Sequence, residues 1–295
     1  MSSDIFTGSA VALVTPFTPD GAVNYGALEK LLEFQINNGT DAIVICGTTG
    51  EASTLTDEEQ TECVRFTVEY VNRRIPVIAG AGSNDTAHGV NLCRMVEQAG
   101  ADAALLVTPY YNKCTQKGLI AHFTAQANAV KIPVILYNVP SRTNLNILPK
   151  TLYELSKVKN IVGVKEASGD IAQVAEIARI CGEDFQIYSG NDDYTVPLLS
   201  VGGKGIISVI ANVAPRQVHD MVMKFFAGDI RGAARMQLAM LPLVRALFCE
   251  VSPGPVKAAL NMMGMDAGGY RMPLCEMEDG NLATLRNEMI NYGLI

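Results

Sequence analysis

Ile161-Val162-Gly163-Val164-Lys165-Glu166 places four small or β-branched apolar residues in a row and closes them with a lysine. Flanked by helical patterns, such a run reads as a strand buried on both faces, as in a parallel sheet covered by helices. An ammonium at its end costs several kcal/mol to bury unless it is paired or loses its proton. Two readings follow. Lys165 either snorkels to water or pairs with Glu166, or it is a desolvated amine that attacks carbonyls. At an unperturbed pKa of about 10.4, roughly one lysine in a thousand is neutral near pH 7.4, so burial that lowers the pKa directly creates nucleophile. The stretch by itself leaves both open.

Seven more apolar runs accompany it, so that eight are read at 9–14, 41–46, 76–80, 103–108, 133–138, 161–165, 185–189 and 205–209. Most are followed by a helical pattern. Strand alternating with helix means βα units and a parallel sheet, and eight such units predict a (β/α)₈ TIM barrel. Helix punctuation agrees. Thr56-Asp57-Glu58-Glu59 is a capping box, Asn24 and Asn84 or Asp85 are placed to cap two more helices, and Pro149, Asp170 and Pro215 mark later starts. Beyond residue 228 the strands stop, and 230–250, 254–263 and 280–292 read as three helices. The expected organisation is a catalytic barrel over 1–228 and a helical appendage over 229–295, whose methionines are packing residues.

The 295 residues carry 48% hydrophobic and 18% charged side chains and a net charge of −7, which argues against nucleic acid or anionic membrane as a partner. No segment approaches the roughly 20 apolar residues of a membrane span. The start MSSDIFTGSA lacks the basic and apolar regions of a secretion signal, so a cytoplasmic location is expected. Seven scattered cysteines without a C-x-x-C look like reduced thiols, and His88, His122 and His219 fall in or near helices rather than at strand ends. Neither set predicts a metal site.

Catalytic groups in this architecture sit at the carboxyl ends of the strands. Those positions hold Gly47-Thr48-Thr49-Gly50-Glu51, Thr108-Pro109-Tyr110-Tyr111-Asn112, Tyr137-Asn138-Val139-Pro140-Ser141-Arg142-Thr143, Lys165, and Ser189-Gly190-Asn191-Asp192-Asp193. Thr48 and Thr49 offer hydroxyls and backbone N–H groups to a carboxylate, or form an ordinary capped turn. Tyr137 lies one βα unit before Lys165, so the two project from adjacent strands, where a phenol can relay protons. Arg142 is placed to hold a carboxylate in bidentate fashion, or is a loop arginine without a role. The glycine-rich Gly202-Gly203-Lys204-Gly205 precedes a strand and belongs at the opposite end of the barrel, so neither a phosphate nor a nucleotide site is expected.

Three of these motifs in register, Gly47-Thr48-Thr49-Gly50-Glu51, Tyr137-Asn138-Val139-Pro140-Ser141-Arg142 and Gly163-Val164-Lys165-Glu166, resemble the pyruvate-dependent class I aldolases, the N-acetylneuraminate lyase family. The resemblance runs over essentially the whole barrel. It implies a Schiff base between Lys165 and pyruvate with no further cofactor. Tyr137 is then the proton shuttle, linked to Thr48 and to Tyr111 of a neighbouring subunit. Thr49 holds the pyruvate carboxylate, Gly190 and Ile207 line the pocket, and Arg142 anchors the carboxylate of aspartate semialdehyde. The branch matched best condenses those two substrates in the first committed step of lysine and diaminopimelate biosynthesis, and its members are usually homotetramers built from two tight dimers. N-acetylneuraminate lyase and the sugar-acid or hydroxy-oxoglutarate aldolases are the alternative, and Arg142 tips the choice.

The resemblance also implies an effector cleft. In lysine-inhibited members, positions matching Ala52, Ser53, Asp57, Gln60, Asn84, His88 and Tyr110 line it. A glutamate stands there at the position of His88 and two histidines at those of Asp57 and Gln60. A degenerate lysine site, with weak or absent inhibition, is the expectation for this chain.

Overall fold

The computed structural model describes residues 4–295. Eight parallel strands close into a barrel in chain order. They are β1 (Gly8–Ala12), β2 (Ala42–Ile45), β3 (Val77–Gly80), β4 (Ala103–Val107), β5 (Val134–Asn138), β6 (Ile161–Glu166), β7 (Gln186–Ser189) and β8 (Gly205–Ser208). The connecting helices are α1 (Tyr25–Asn37), α2 (Asp57–Val71), α3 (Thr86–Gln98), α4 (Gln116–Ala127), the short α5 (Pro140–Thr143), α6 (Pro149–Leu155), α7 (Ile171–Cys181), α8 (Thr195–Ser200) and α9 (Pro215–Phe226). Then come α10 (Ile230–Leu247), α11 (Gly254–Met262) and α12 (Asp279–Tyr292). The three opening residues lie outside the described range.

Alternation along each strand splits the core in two. Ala10, Ala12, Ala42, Val44, Ile78, Ala103, Leu105, Ile135, Tyr137 and Ile207 face inward and fill the barrel. Val11, Ile43, Ile45, Ala104, Leu106, Leu136 and Val164 face outward and pack under the helices. A large ring joins the alanines of the interior. Tyr188 stacks on Phe6 with ring centroids 4.2 Å apart, and its hydroxyl donates to the Phe6 carbonyl at 2.9 Å. Closure depends on β8 meeting β1, where Gly8 is the register partner of Gly205. A Cβ on Gly205 would lie 2.0 Å from the Gly8 carbonyl oxygen, so only glycine fits that seam.

The local signals sit where the sequence puts them. The Thr56 hydroxyl accepts from the Glu59 backbone N–H at 3.2 Å, and the Glu59 carboxylate accepts from the Thr56 N–H at 3.0 Å, completing the capping box. Asn24 caps α1, Asp85 rather than Asn84 caps α3, and Asp170 caps α7. The glycine-rich 202–205 run lies at the amino ends of the strands, where the Lys204 carbonyl accepts from Gly8 N–H at 3.1 Å. Among the described residues no helix is long and apolar enough to cross a membrane.

Helix α10 packs on α9 and α12. It also reaches the carboxyl end of the barrel: the Gln237 side chain donates to the Asp192 carbonyl at 2.7 Å and accepts from Val196 N–H at 3.1 Å.

Candidate active site

Strand alternation separates the two charged residues that close β6. Glu166 points outward, accepting from the Asn138 amide at 3.0 Å and from Ser168 N–H at 2.7 Å. Lys165 points inward and is only 5% exposed, so it neither snorkels nor pairs with Glu166. Burial lowers its pKa to about 7; the negative field of Asp192 opposes the shift and the Arg142 guanidinium adds to it. A large share of the amine is therefore neutral at physiological pH. Of the two sequence readings, the desolvated amine is the one the structure adopts.

Tyr137 is the register partner of Lys165 on β5, and the Lys165 Nζ lies 4.2 Å from its ring centroid. Burial pushes the phenol pKa up to about 12, while Arg142 and the Thr48 hydroxyl beside it pull the other way. Tyr137 is thus a neutral acid that holds its proton until a base nearby requires it. Together with Thr48, Thr49, Lys165, Gly190 and Arg142 it lines a cavity of about 620 Å³ at the carboxyl ends of the strands. Thr49 is buried and Thr48 exposed toward the opening. Arg142 stands on the single turn α5, its Nη2 3.3 Å from the Ser252 carbonyl that it donates to. Gly190 approaches the nucleophile closely, since a Cβ there would lie 3.2 Å from Lys165 Cε and 2.8 Å from Ala167 Cβ. Ile207 is fully buried in the packed barrel interior and is not among the residues lining the cavity.

Tyr111 stands apart. It is 92% exposed, has a left-handed φ of 70°, and lines neither this cavity nor its neighbour. Within its own chain it does not meet Tyr137.

The second cavity, about 400 Å³, shares Thr48, Tyr137 and Arg142 with the first and extends to Ala52, Ser53, Asp57, Gln60, His88 and Tyr110. Asn84 supports its rim by donating to the Tyr110 carbonyl at 3.2 Å. Asp57 does not stand free in it, because His88 Nε2 lies 3.0 and 3.1 Å from its two oxygens. The other ring nitrogen of His88 contacts the Ser83 hydroxyl at 3.2 Å. Gln60 is buried and its amide is directed at the Gly80 carbonyl.

Two contributions carry no role in the sequence reading. Asp192 is buried on the cavity wall, accepting from the Ser208 hydroxyl at 2.6 Å and from Val209 and Ile210 N–H at 3.0 and 3.2 Å. Burial raises its pKa, opposed by these donors and by Lys165. The Asn191-Asp192-Asp193 run at the end of β7 was its signal. The tail also enters the wall, through Arg245, Phe248, Glu250 and Ser252. No window of sequence places these residues near Lys165.

The model of the dihydrodipicolinate synthetase family matches residues 5–290. The chain belongs to that family. It is 59% identical over 292 residues to the 4-hydroxy-tetrahydrodipicolinate synthase of Thermoanaerobacter sp. (strain X514), covering 99% of this chain and 98% of the relative. Among solved structures, the dihydrodipicolinate synthase from Thermotoga maritima superposes with a TM-score of 0.97 at 40% identity, over 99% of this chain and 100% of the other. DHDPS from Cyanidioschyzon merolae, solved with lysine bound, gives 0.97 at 41% identity over the same shares of the two chains. The whole barrel and the helical tail are therefore shared with dihydrodipicolinate synthases.

Proposed function

We propose that this chain condenses pyruvate with L-aspartate 4-semialdehyde to give 4-hydroxy-tetrahydrodipicolinate, a lyase-type reaction that commits carbon to lysine and diaminopimelate. One observation carries the reading: an amine with a pKa of about 7 ends an apolar strand at the floor of a cavity, beside a buried phenol. Neutral Lys165 attacks the pyruvate ketone, and Tyr137 moves a proton onto the carbinolamine oxygen so that water leaves. The Schiff base then loses a C3 proton to become an enamine, which attacks the aldehyde carbon of the second substrate. The amine of that substrate attacks the iminium carbon, closing the ring and expelling Lys165. Lys165 is regenerated, one water and one proton are released per turnover, and no electrons are gained or lost overall, so the cycle needs no redox partner.

Thr49 holds the pyruvate carboxylate and Gly190 leaves room for it beside Lys165, while Ile207 packs in the barrel interior without lining the cavity. Arg142 takes the carboxylate of the semialdehyde at the mouth. Tyr111 extends the relay into a neighbour's cavity, which fits its exposure and its separation from Tyr137 within one chain. A side chain shared in this way requires at least a dimer, and the assembly proposed is a homotetramer of two tight dimers, with the barrel over 1–228 as the catalytic unit and 229–295 as the helical domain.

Borohydride reduction in the presence of pyruvate tests the reading. A pyruvyl adduct mapped to Lys165 by mass spectrometry, absent in Lys165→Arg, is the expected result. An adduct on another lysine, or none, ends the proposal. Turnover with aspartate semialdehyde, set beside the sialic-acid cleavage reaction, tests the substrate assignment.

A further inference from the structure

The turn that carries Thr48 and Thr49 is held from the helical tail by a buried ion pair. Lys257, on α11, is fully buried, and its Nζ donates to Glu51 Oε1 at 2.8 Å and to the Thr15 carbonyl at 3.0 Å. The ammonium also lies 4.3 Å from the centroid of Phe17. The second Glu51 oxygen accepts from Arg271 N–H at 3.3 Å. Arg271 in turn grips Glu59, the capping-box carboxylate of α2, with Nη1 and Nη2 at 2.7 and 2.6 Å.

Such a pair is seldom the most stable way to fill a core, because packed apolar side chains of similar volume do as well or better. What it supplies is direction. Glu51 sits in the left-handed backbone region, with φ at 55°, a conformation an L-residue with a long side chain seldom adopts unless its surroundings impose it. Its N–H donates to the Thr48 carbonyl at 3.1 Å, and the Thr15 hydroxyl donates to the Gly50 carbonyl at 2.6 Å. Lys257 therefore ties together the two segments, Thr15 and Glu51, that clamp the Thr48–Thr49 turn on either side.

We propose that Lys257 is a positioning residue for the reaction: by holding Glu51 it fixes the Thr48 hydroxyl beside Tyr137 and Thr49 on the cavity wall. The tail is then part of the catalytic apparatus. This rests on the Schiff-base reading above, in which Thr48 and Thr49 act on pyruvate and its adduct. A displacement of about 1 Å in such groups lowers rate by about 10²-fold.

Three variants separate positioning from mere stability: Lys257→Met, Glu51→Gln, and the double variant. For each, the melting temperature, kcat and KM for pyruvate are measured. Active sites are counted by borohydride trapping of pyruvate on Lys165. Lys257→Met strands the Glu51 carboxylate and lowers the melting temperature. The double variant leaves no unpaired charge and regains most of it. In both, kcat per trapped site is expected to stay about 10²-fold low with KM for pyruvate raised. Glu51→Gln leaves the buried Lys257 ammonium without its counter-charge, so it too lowers the melting temperature, and the same loss per trapped site is expected of it. If kcat per trapped site returns to the wild-type value in the double variant or in Glu51→Gln, Lys257 is a structural residue only and the proposal falls. A wild-type enzyme that traps no pyruvate on Lys165 would instead overturn the catalytic reading on which the proposal stands.

Discussion

Lys165 and Tyr137 are register partners on adjacent strands, with the amine 4.2 Å from the centre of the phenol ring. Both side chains point into the barrel because strand residues alternate, and both are largely buried where they line the cavity. Burial acts on them in opposite directions. It favours the neutral amine and the neutral phenol, leaving a nucleophile and an acid side by side at neutral pH.

The rate of trapping pyruvate on Lys165 is expected to rise with pH up to about 7 and then level off, following the neutral fraction of the amine. A profile still climbing steeply at pH 9 would mean that the lysine is not desolvated as described.

The same burial weakens the fold. The folded lysine titrates near 7 and the unfolded one near ~10.4. Between those values the unfolded chain binds more protons, so stability rises with pH across the window. The penalty is complete below about pH 7 and gone above about 10.4, and it amounts to at most on the order of 5 kcal/mol. Lys165→Met is therefore expected to melt higher than wild type at pH 6.5, with the difference shrinking toward pH 10. Equal melting temperatures at both pH values would refute the assignment.

Tyr137→Phe and Tyr111→Phe should each lower turnover by about 10²–10⁴. The side chains lie apart within one chain, so mixing the two inactive variants is the informative measurement. Hybrid sites that receive both wild-type tyrosines should regain activity. No recovery in a verified mixed oligomer would place Tyr111 outside the relay.

Gly190→Ala inserts a Cβ 3.2 Å from Lys165 Cε and 2.8 Å from Ala167 Cβ. Overpacking of this kind costs about 1–3 kcal/mol, and a displaced nucleophile about 10² in rate. Activity should fall well beyond what the change in melting temperature explains. Normal turnover in the variant would show that Lys165 has more freedom than the cavity suggests.

Lysine should inhibit weakly or not at all. His88 offers an incoming ammonium no carboxylate, and Asp57, which lines the same cavity, is engaged by His88 through both oxygens. Losing one charge-assisted hydrogen bond, worth about 1.5–3 kcal/mol, weakens a ligand roughly 10- to 150-fold. Half-inhibition below a millimolar in a lysine titration would be incompatible with this account of the cleft.

The sequence by itself determined the barrel, because its signals are local. Each strand is an apolar run of a few residues, and several helices carry their own caps, as at Asn24, Thr56 and Asp170. The nucleophile was legible for the same reason, as a lysine that ends such a run. Whether Lys165 was desolvated or paired was not legible, since that turned on which way Glu166 faces and on walls built from other strands. Helices of four and six residues, such as α5 and α8, are too short to show a period. The tertiary structure alone decided the partners that are remote in sequence. Glu51 and Lys257 are 206 positions apart, and Arg142 and Ser252 are separated by 110. Their pairing depends on where closure of the barrel brings the tail, and a charged residue in one window carries no record of the counter-charge that the fold will set beside it.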